Sequence, residues 1–202
     1  GQSVMEILCS DKKAAMSPYF MRPGFAFGGS CLPKDVRALR HLASQNDTPA
    51  HLLNAVIEAN EAQIAKAEAM VAKSGAEKVG FVGISFKPGT DDLRESPLLS
   101  LAARLINKGI EVNIYDPFVK EAYDSGTPGA GRGNESVPNL ESRLVGDLDE
   151  LINDAGAVIL VGNYYNETVE KLQAAAKTQT VVDLTRLHRD MVSDENYEGI
   201  CW

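Results

Sequence analysis

Residues 78–117, KVGFVGISFKPGTDDLRESPLLSLAARLINKGIEVNIYDP, decide the fold class. The continuous apolar run Val79–Ile84 predicts a buried strand, and Glu111–Tyr115 predicts a second one. Between them, residues 97–108 have a helical pattern that Gly109 ends. A helix between two strands is typical of a parallel βαβ unit, in which the crossover helix covers one face of the sheet.

The same alternation continues to the C-terminus after an irregular, glycine-rich excursion over residues 124–143. The patterns predict strands at Leu144–Val145, Ala157–Val161 and Thr180–Asp183, helices at Leu148–Asp154 and Asn166–Lys177, and a helical turn near Leu187–Val192. We therefore expect an α/β fold with a doubly wound, Rossmann-like parallel sheet domain over residues 77–202. In such a sheet, ligands bind at the carboxyl ends of the strands.

Residues 1–76 are predicted to be a helical N-terminal segment. The patterns give a helix over residues 1–16, a loop over 17–32, a helix from Pro33 to about Ala43, and a long helix over 49–74 for which Asp47 or Thr48 offers the N-cap. A helix of that length is typical of a domain connector or a subunit-packing element. Because the chain opens with Gly1 inside a helical pattern, we expect it to be the later part of a longer polypeptide.

Composition excludes several classes of protein. The 202 residues have a formal net charge of −8, whereas a general nucleic-acid binder needs a surplus of Lys and Arg. No apolar run approaches the ~20 residues needed to cross a bilayer, and no secretory signal opens the chain. Three widely spaced cysteines form neither a disulfide framework nor a zinc motif, so we expect a cytoplasmic protein without a metal.

Cys31 is the strongest candidate for a nucleophile. It follows Gly28 and Gly29, which let backbone N–H groups approach a ligand closely, and it precedes a predicted helix. The positive end of that helix, with Lys34 in its first turn, favours the thiolate, which attacks carbonyl carbon. Asp35 lies one turn further on, where a carboxylate can accept a proton or orient water. The alternative is an unreactive structural cysteine.

Cations follow the predicted strands at their carboxyl ends. Lys87 and Arg94 lie after the first strand, and Arg186 follows the strand at 180–183. In an acidic chain these side chains are candidates for binding an anionic nucleotide, and a solvated turn or a surface ion pair is the alternative. Asp116 imitates the ribose-binding acid of a dinucleotide domain, but we interpret it as a turn residue before Pro117.

The loop before Cys31 is crowded with aromatic residues, and one arginine lies among them. Aromatic faces and a guanidinium suit a base, a sugar face and a phosphate, although the same rings could simply pack on the core. The residues concerned are Tyr19, Phe20, Arg22, Phe25 and Phe27.

With these residues identified, a family resemblance is evident. GFAFGGSCLPKD (24–35) resembles the cysteine motif of the nucleotide-sugar 6-dehydrogenases, the UDP-glucose and GDP-mannose dehydrogenases. The similarity extends through FKPGTDDLRES (86–96), IYDP (114–117) and the C-terminal arginine, and so covers nearly the whole chain. MRPGFAFGGSCLPKDVRAL (21–39) and EGICW (198–202) are most similar to the GDP-mannose branch of the family.

The resemblance implies a four-electron oxidation of the sugar C6 alcohol to an acid, which turns GDP-mannose into GDP-mannuronate, an alginate precursor. NAD would accept two hydrides, and the cysteine would form a thiohemiacetal and then a thioester. Family members also have an N-terminal NAD domain with a dinucleotide glycine motif, and a linking helix with a catalytic lysine and asparagine. The chain lacks these features and so resembles a C-terminal half that needs an N-terminal partner half.

The resemblance also implies roles for individual residues. Cys31 would be the nucleophile, and Asp35 would assist the hydrolysing water, while Lys34 and Arg94 would face NAD. The nucleotide sugar would bind to a loop presented by a neighbouring subunit of a homo-oligomer and to two cations of the sheet domain: Tyr19, Phe20, Arg22, Phe25, Phe27 and Gly28 from the loop, and Lys87 and Arg186 from the sheet domain.

Two alternatives stay open at this point. The chain could be half of a UDP-hexose dehydrogenase, because the residues do not reveal whether the base pocket takes guanine or uracil. It could also be a non-catalytic nucleotide-binding or dimerisation module, an interpretation that the long helix favours and the FGGSC motif opposes.

Overall fold

The computed structural model of the chain describes residues 2–11, 13, 17, 24–127, 136–154, 156, 158–187 and 193–200. The helices and strands of these residues are α1 (Gln2–Leu8), α2 (Leu32–Gln45), α3 (His51–Lys73), β1 (Lys78–Val82), α4 (Pro97–Asn107), β2 (Glu111–Tyr115), α5 (Pro117–Asp124), α6 (Leu140–Arg143), α7 (Leu148–Asp154), β3 (Val158–Val161), a 3-10 turn at Asn166–Thr168, α8 (Val169–Ala175), β4 (Thr180–Asp183) and β5 (Tyr197–Gly199).

The strands form one parallel sheet with the order β2-β1-β3-β4-β5. From β1 the chain moves outward to β2 and then returns to the opposite side of β1 to begin β3. This reversal opens a crevice beyond the carboxyl ends of β1 and β3. The α/β fold with a doubly wound parallel sheet, predicted from the sequence, is therefore confirmed.

Apolar clusters cover both faces of the sheet. Val158 and Leu160 of β3 face the cluster built with α3 and α4, whereas Ile159 and Val161 face the cluster built with α7 and α8. All four side chains are fully buried. A strand that is covered on both faces has no solvent side, which explains why β3 is a continuous apolar run, whereas β2 at the edge of the sheet alternates between buried and less buried residues.

The first half of the chain departs from the sequence prediction at two helix ends. The predicted helix over 1–16 is wrong beyond Leu8, where the Ser10 hydroxyl and N–H both donate to the Ile7 carbonyl and close the helix; residues 14–16 lie outside the described part. The predicted N-cap of the long helix is also wrong, because α3 begins at His51 and Ala50 precedes it without a side-chain cap.

Residues 46–48 close α2 instead of opening α3. Asp47 adopts φ +49, and the N–H groups of Asp47 and Thr48 donate to the carbonyls of Ser44 and Ala43. This is the hydrogen-bond pattern of a Schellman C-cap, with an aspartate in the position that glycine usually occupies. The polar residues were recognised correctly as a helix boundary, but they serve the preceding helix.

In the second half of the chain, the outcomes differ from element to element. The strands Glu111–Tyr115 and Thr180–Asp183 and the helix Leu148–Asp154 have the predicted bounds. Asp116-Pro117 starts α5 rather than a simple turn, Leu144 makes only an isolated bridge to Ile114, and β5 was not predicted. The proposed helical turn at 187–192 lies almost wholly outside the described residues.

Among the described residues, we find no helix with the length and apolarity needed to span a membrane.

Candidate functional site

A cleft of about 250 Å³ lies at the crevice between the strand ends. The loop before α2 forms one wall, and the others come from the segment after β1, the first residues of α4 and the residues that follow β3 and β4: Gly24, Phe25, Ala26, Phe86, Pro97, Leu98, Gly162, Asn163, Leu184 and Thr185. The cleft is thus where a parallel sheet places a ligand site, and Phe25, which was predicted from the sequence, lines it.

Backbone contacts seat the glycine pair against the turn that leads into α4. The Gly29 N–H donates to the Glu95 carbonyl at 3.3 Å, and a Cβ added to Gly28 would lie 2.2 Å from that same oxygen. Gly29 adopts φ +86, and an added Cβ would lie 2.5 Å from the ring of Phe86. Both positions therefore require glycine, the first for close approach and the second also for its backbone conformation.

Asn60 of α3 holds the same loop from the other side. Its Oδ1 accepts from the Phe27 N–H at 2.7 Å, and its Nδ2 donates to the Phe27 carbonyl at 3.0 Å. One amide side chain thus satisfies both backbone groups of a half-buried loop residue. We did not identify Asn60 from the sequence, because α3 contains two asparagines, Asn54 and Asn60, and no pattern within the helix distinguishes them.

Cys31 lies at the start of α2, and its side chain is exposed. The Cys31 carbonyl accepts the Asp35 N–H at 2.9 Å, so the two residues are one helical turn apart, as the spacing predicted. The nearest polar side-chain contact is the Ser30 hydroxyl, 3.8 Å from the sulfur. The sulfur is accessible to a ligand and is not sealed within packed hydrocarbon.

The charged residues near Cys31 are paired with each other. Lys34 and Asp35 form an exposed ion pair of 3.2 Å. Arg94 donates from Nε and Nη2 to the two carboxylate oxygens of Asp92, at 2.9 and 2.8 Å. The hydrogen bonds to Asp92 raise the pKa of Arg94. Both cations are therefore exposed and already paired with a neighbouring carboxylate.

Lys87 lies in a turn that hydroxyl groups brace. Its carbonyl accepts from Ser85 Oγ at 3.1 Å and from Thr90 Oγ1 at 2.8 Å. The Lys87 side chain is exposed, and it forms no ion pair with any of the residues that the structure describes. A cation without a carboxylate partner, next to a crevice, is available to an anionic ligand.

Arg186 follows β4 in a turn that a buried carboxylate holds. Asp183 accepts from the N–H groups of Thr185 at 2.7 Å and Leu187 at 2.6 Å, and also from the Tyr197 hydroxyl. Arg186 itself is half-buried and adopts φ +61, a conformation unusual for a residue other than glycine. Such strain often occurs at functional sites, which is consistent with the predicted role of Arg186.

Asp116 is a fully buried acid that holds four neighbouring groups. Its Oδ2 accepts from the N–H groups of Ile84 at 3.0 Å and Ser85 at 3.1 Å, and its Oδ1 accepts from Val119 N–H and the Tyr165 hydroxyl. Burial and this carboxylate raise the pKa of Tyr165. The sequence predicted Asp116 to be a turn residue, whereas it caps α5 and ties the end of β1 to Tyr165, and so shapes the crevice.

Asn163 is a second residue that the sequence analysis missed. Its Nδ2 donates to the Ser85 carbonyl at 2.8 Å and so ties the end of β3 to the end of β1. Gly83 makes this contact possible, because an added Cβ would lie 2.4 Å from the Asn163 Cβ. The available signal was a polar residue two positions after a four-residue apolar strand.

The remaining predicted loop residues fall in two groups. Phe27 is half-buried and held by Asn60, and Gly28 packs on the turn before α4. Tyr19, Phe20 and Arg22 lie outside the described residues.

Both halves of the chain match one protein family. Residues 80–190 match the UDP binding domain of the UDP-glucose/GDP-mannose dehydrogenase family, and residues 1–62 match its central domain.

Similar sequences include GDP-mannose 6-dehydrogenases. The chain is 43% identical over 205 residues to the one from Pseudomonas savastanoi pv. phaseolicola and 42% identical over 204 residues to the one from Pseudomonas aeruginosa. Each alignment covers 100% of this chain and 46% of the relative, so the chain spans about half the length of these relatives.

Solved structures of similar proteins share the fold. A ternary complex of GDP-mannose dehydrogenase from Pseudomonas aeruginosa has a TM-score of 0.84 and 42% identity, covering 100% of this chain and 45% of that one. A UDP-glucose dehydrogenase from the archaeon Pyrobaculum islandicum has a TM-score of 0.78 and 25% identity, covering 100% of this chain and 43% of that one.

Proposed function

Because the chain belongs to the UDP-glucose/GDP-mannose dehydrogenase family, we propose that it is the C-terminal half of an NAD-dependent GDP-mannose 6-dehydrogenase. The observation on which the proposal rests is an exposed cysteine at a helix start, held by a glycine pair beside a cleft at the strand ends. The identity of 42–43% to GDP-mannose 6-dehydrogenases over the whole chain favours this substrate.

In the proposed reaction, the sugar C6 alcohol loses a proton and a hydride to become an aldehyde. The Cys31 sulfur adds to the aldehyde carbon, and the carbonyl oxygen takes up a proton to give a thiohemiacetal. Loss of a second hydride and a proton leaves a thioester. Water, oriented by Asp35, cleaves the C–S bond to give the acid and the free thiol. Covalent capture would keep the reactive aldehyde on the protein throughout.

The nucleotide-sugar site is proposed to combine two parts of the chain. Lys87 and Arg186 follow β1 and β4 at the edge of the sheet where parallel strands place ligands, and they would hold the diphosphate and the nucleoside. The aromatic loop over 19–27 would pack against the sugar and the base. The cations are well suited to a dianionic ligand in a chain of net charge −8.

NAD is proposed to bind mainly outside this chain. Lys34 and Arg94, the residues predicted to face it, are both exposed and each already pairs with a neighbouring carboxylate. Two such cations do not form a dinucleotide site by themselves, so we assign NAD binding to the half of the enzyme that this chain does not cover. When bound, NAD supplies the hydride acceptor of both oxidations.

We propose that the chain consists of two parts with different functions. Residues 1–76 would form the end of the middle region, which includes the cysteine loop and contributes to a homo-oligomer. Residues 77–202 would form the nucleotide-sugar domain.

Thiol labelling tests the proposal on the chain itself. Cys31 should react faster with a maleimide than Cys9, and GDP-mannose should protect Cys31 and leave Cys9 unaffected. In the complete enzyme, Cys31→Ser should stop formation of the acid. Ordinary labelling without protection, or unchanged output of GDP-mannuronate by the variant, would refute the role of Cys31.

Two other functions make different predictions. A UDP-hexose dehydrogenase is favoured by the similarity to the Pyrobaculum islandicum enzyme, and in that case UDP should protect Cys31 better than GDP. A non-catalytic module should show no ligand-dependent protection of Cys31 at all.

A further inference from the structure

A second concave site lies between α2 and the beginning of α3. It is an open, polar cleft of about 500 Å³, and it shares no lining residue with the cleft at the strand ends. Arg37, Arg40, His41 and Ser44 line one side, at spacings that place them on one face of α2. Thr48 and Asn54 line the opposite side.

Arg40 is the central cation of this cleft. Its Nε donates to Asn54 Oδ1 at 2.6 Å, so a neutral amide rather than a carboxylate fixes the half-buried guanidinium. Within the described residues, neither Nη atom of Arg40 has a protein acceptor. The guanidinium of Arg40 is thus held in place, and no carboxylate of the described residues neutralises its charge. Its two Nη groups can donate together to the oxygens of a phosphate.

The start of α3 adds a second source of positive potential. The 23-residue helix begins beside the cleft, with no side-chain cap at Ala50 and no acidic residue in its first turn. Uncapped N–H groups and the positive end of the helix dipole favour an anion. Arg37 already pairs with Glu95, at 2.6 Å between Nη2 and Oε1, so Arg40 and His41 are the side chains free for a ligand.

We propose that this cleft binds the terminal phosphate of a small phosphorylated metabolite. Arg40 would contact the oxyanion through its Nη atoms, with His41 and the Ser44 hydroxyl as additional donors. The cleft is larger than one phosphate group, and its open side leaves room for an uncharged organic portion. The site is independent of the proposed nucleotide-sugar site, since it uses different residues and a different part of the chain.

Calorimetric titration of the chain at constant ionic strength tests the proposal, with inorganic phosphate and glucose 6-phosphate as probes. We expect saturable binding of both. Tighter binding of the sugar phosphate would assign the site to a phosphorylated metabolite, and equal binding would assign it to free phosphate. Arg40→Gln should weaken binding about tenfold or more, because it removes a charge-assisted contact.

Further variants make the outcome decisive. Ser44→Asp places a negative charge in the cleft without touching the bond between Arg40 and Asn54, and it should abolish binding even if Arg40→Gln folds poorly. Lys177→Gln removes one exposed positive charge elsewhere and should change binding less than twofold. Absence of saturation, or equal loss in Lys177→Gln, would overturn the proposal. If Lys87→Gln lost binding of the phosphate probes and Ser44→Asp retained it, the phosphate would bind at the strand ends, and this result would also overturn the proposal.

Discussion

At the scale of single residues, the conformation of the loop that leads to Cys31 depends on two positions that have no room for a side chain. Gly28 and Gly29 lie where any side chain would meet the Glu95 carbonyl or the Phe86 ring. Asn60 then fixes the preceding residue through both of its backbone groups. The position of the Cys31 sulfur thus depends on Gly28, Gly29 and Asn60, which take no part in the proposed reaction. Substitutions at these positions test how the loop is held.

Gly29→Ala is expected to lower the free energy of unfolding by more than the positive φ of residue 29 alone explains. Gly109, at φ +84, is the matched control, because an added Cβ there would have no atom within 4 Å, whereas at Gly29 it would lie 2.5 Å from the Phe86 ring. We expect denaturant unfolding to show Gly29→Ala about 1–3 kcal/mol less stable than Gly109→Ala, owing to overpacking. Adding Phe86→Leu should recover part of this difference, and equal losses would contradict the steric explanation.

Asn60→Ala is expected to disturb the cysteine loop. The substitution leaves a half-buried N–H and carbonyl of Phe27 without partners, at a cost of about 1–3 kcal/mol. It should also change the rate at which Cys31 is labelled by a maleimide. Asn46→Ala, which removes a single exposed bond to the Leu42 carbonyl, is the control and should leave labelling unchanged. Unaltered labelling in Asn60→Ala would show that the loop holds its position without this side chain.

At the scale of elements, buried acids join strand ends to the helices and strands that follow. Asp116 connects the end of β1 to the start of α5 and to Tyr165, and Asp183 connects the end of β4 to Tyr197 of β5. Carboxylates accept several N–H bonds at once, which satisfies groups that the strands leave unpaired where they end. The crevice keeps its shape because these turns are tied to the sheet.

Helices α3 and α4 are connected by a charge network with a defined pH dependence. Glu68 contacts Lys108 Nζ at 2.5 Å and Arg104 Nη1 at 3.5 Å, and the hydrogen bond to Lys108 is the main reason that the pKa of Glu68 is lowered. A lowered pKa in the folded state means that this stabilisation is present above the ordinary carboxyl range and is lost as the pH falls through the folded-state value.

Glu68→Gln should therefore lower the free energy of unfolding at neutral pH by about 0.5–1 kcal/mol, a modest amount because both of its partners are partly exposed to solvent. The difference in stability between the variant and the parent should close as the pH falls below 4.5, the ordinary pKa of a glutamate. Glu77→Gln removes an equivalent charge at an exposed position and should show no such gap. A difference that persists at low pH would indicate a packing effect rather than an ion pair.

At the scale of the whole molecule, the chain contains the proposed nucleophile and the crevice, yet it spans about half the length of its relatives. We therefore expect that residues 1–202 bind GDP-mannose weakly and reduce no NAD. Absorbance at 340 nm should stay flat with the chain alone and should rise when an N-terminal half from a full-length relative is added. Reduction of NAD by the chain alone would overturn the assignment of the cofactor to the other half.

The sequence by itself determined the parts of this protein that depend on neighbours along the chain. An apolar run predicted β1, a helical pattern ending at Gly109 predicted α4, and the segment that follows predicted β2, because burial and an αL helix end leave local patterns. The motif around Cys31 likewise predicted the helix start, since Pro33 fixes its φ at a value suited to the first turn and the preceding glycines allow the backbone to turn.

Only the tertiary structure decided which distant groups meet. The contacts from Asn60 to Phe27 and from Tyr165 to Asp116 join residues 33 and 49 positions apart. No local pattern records such contacts, because their energy depends on burial that exists only after the chain has folded.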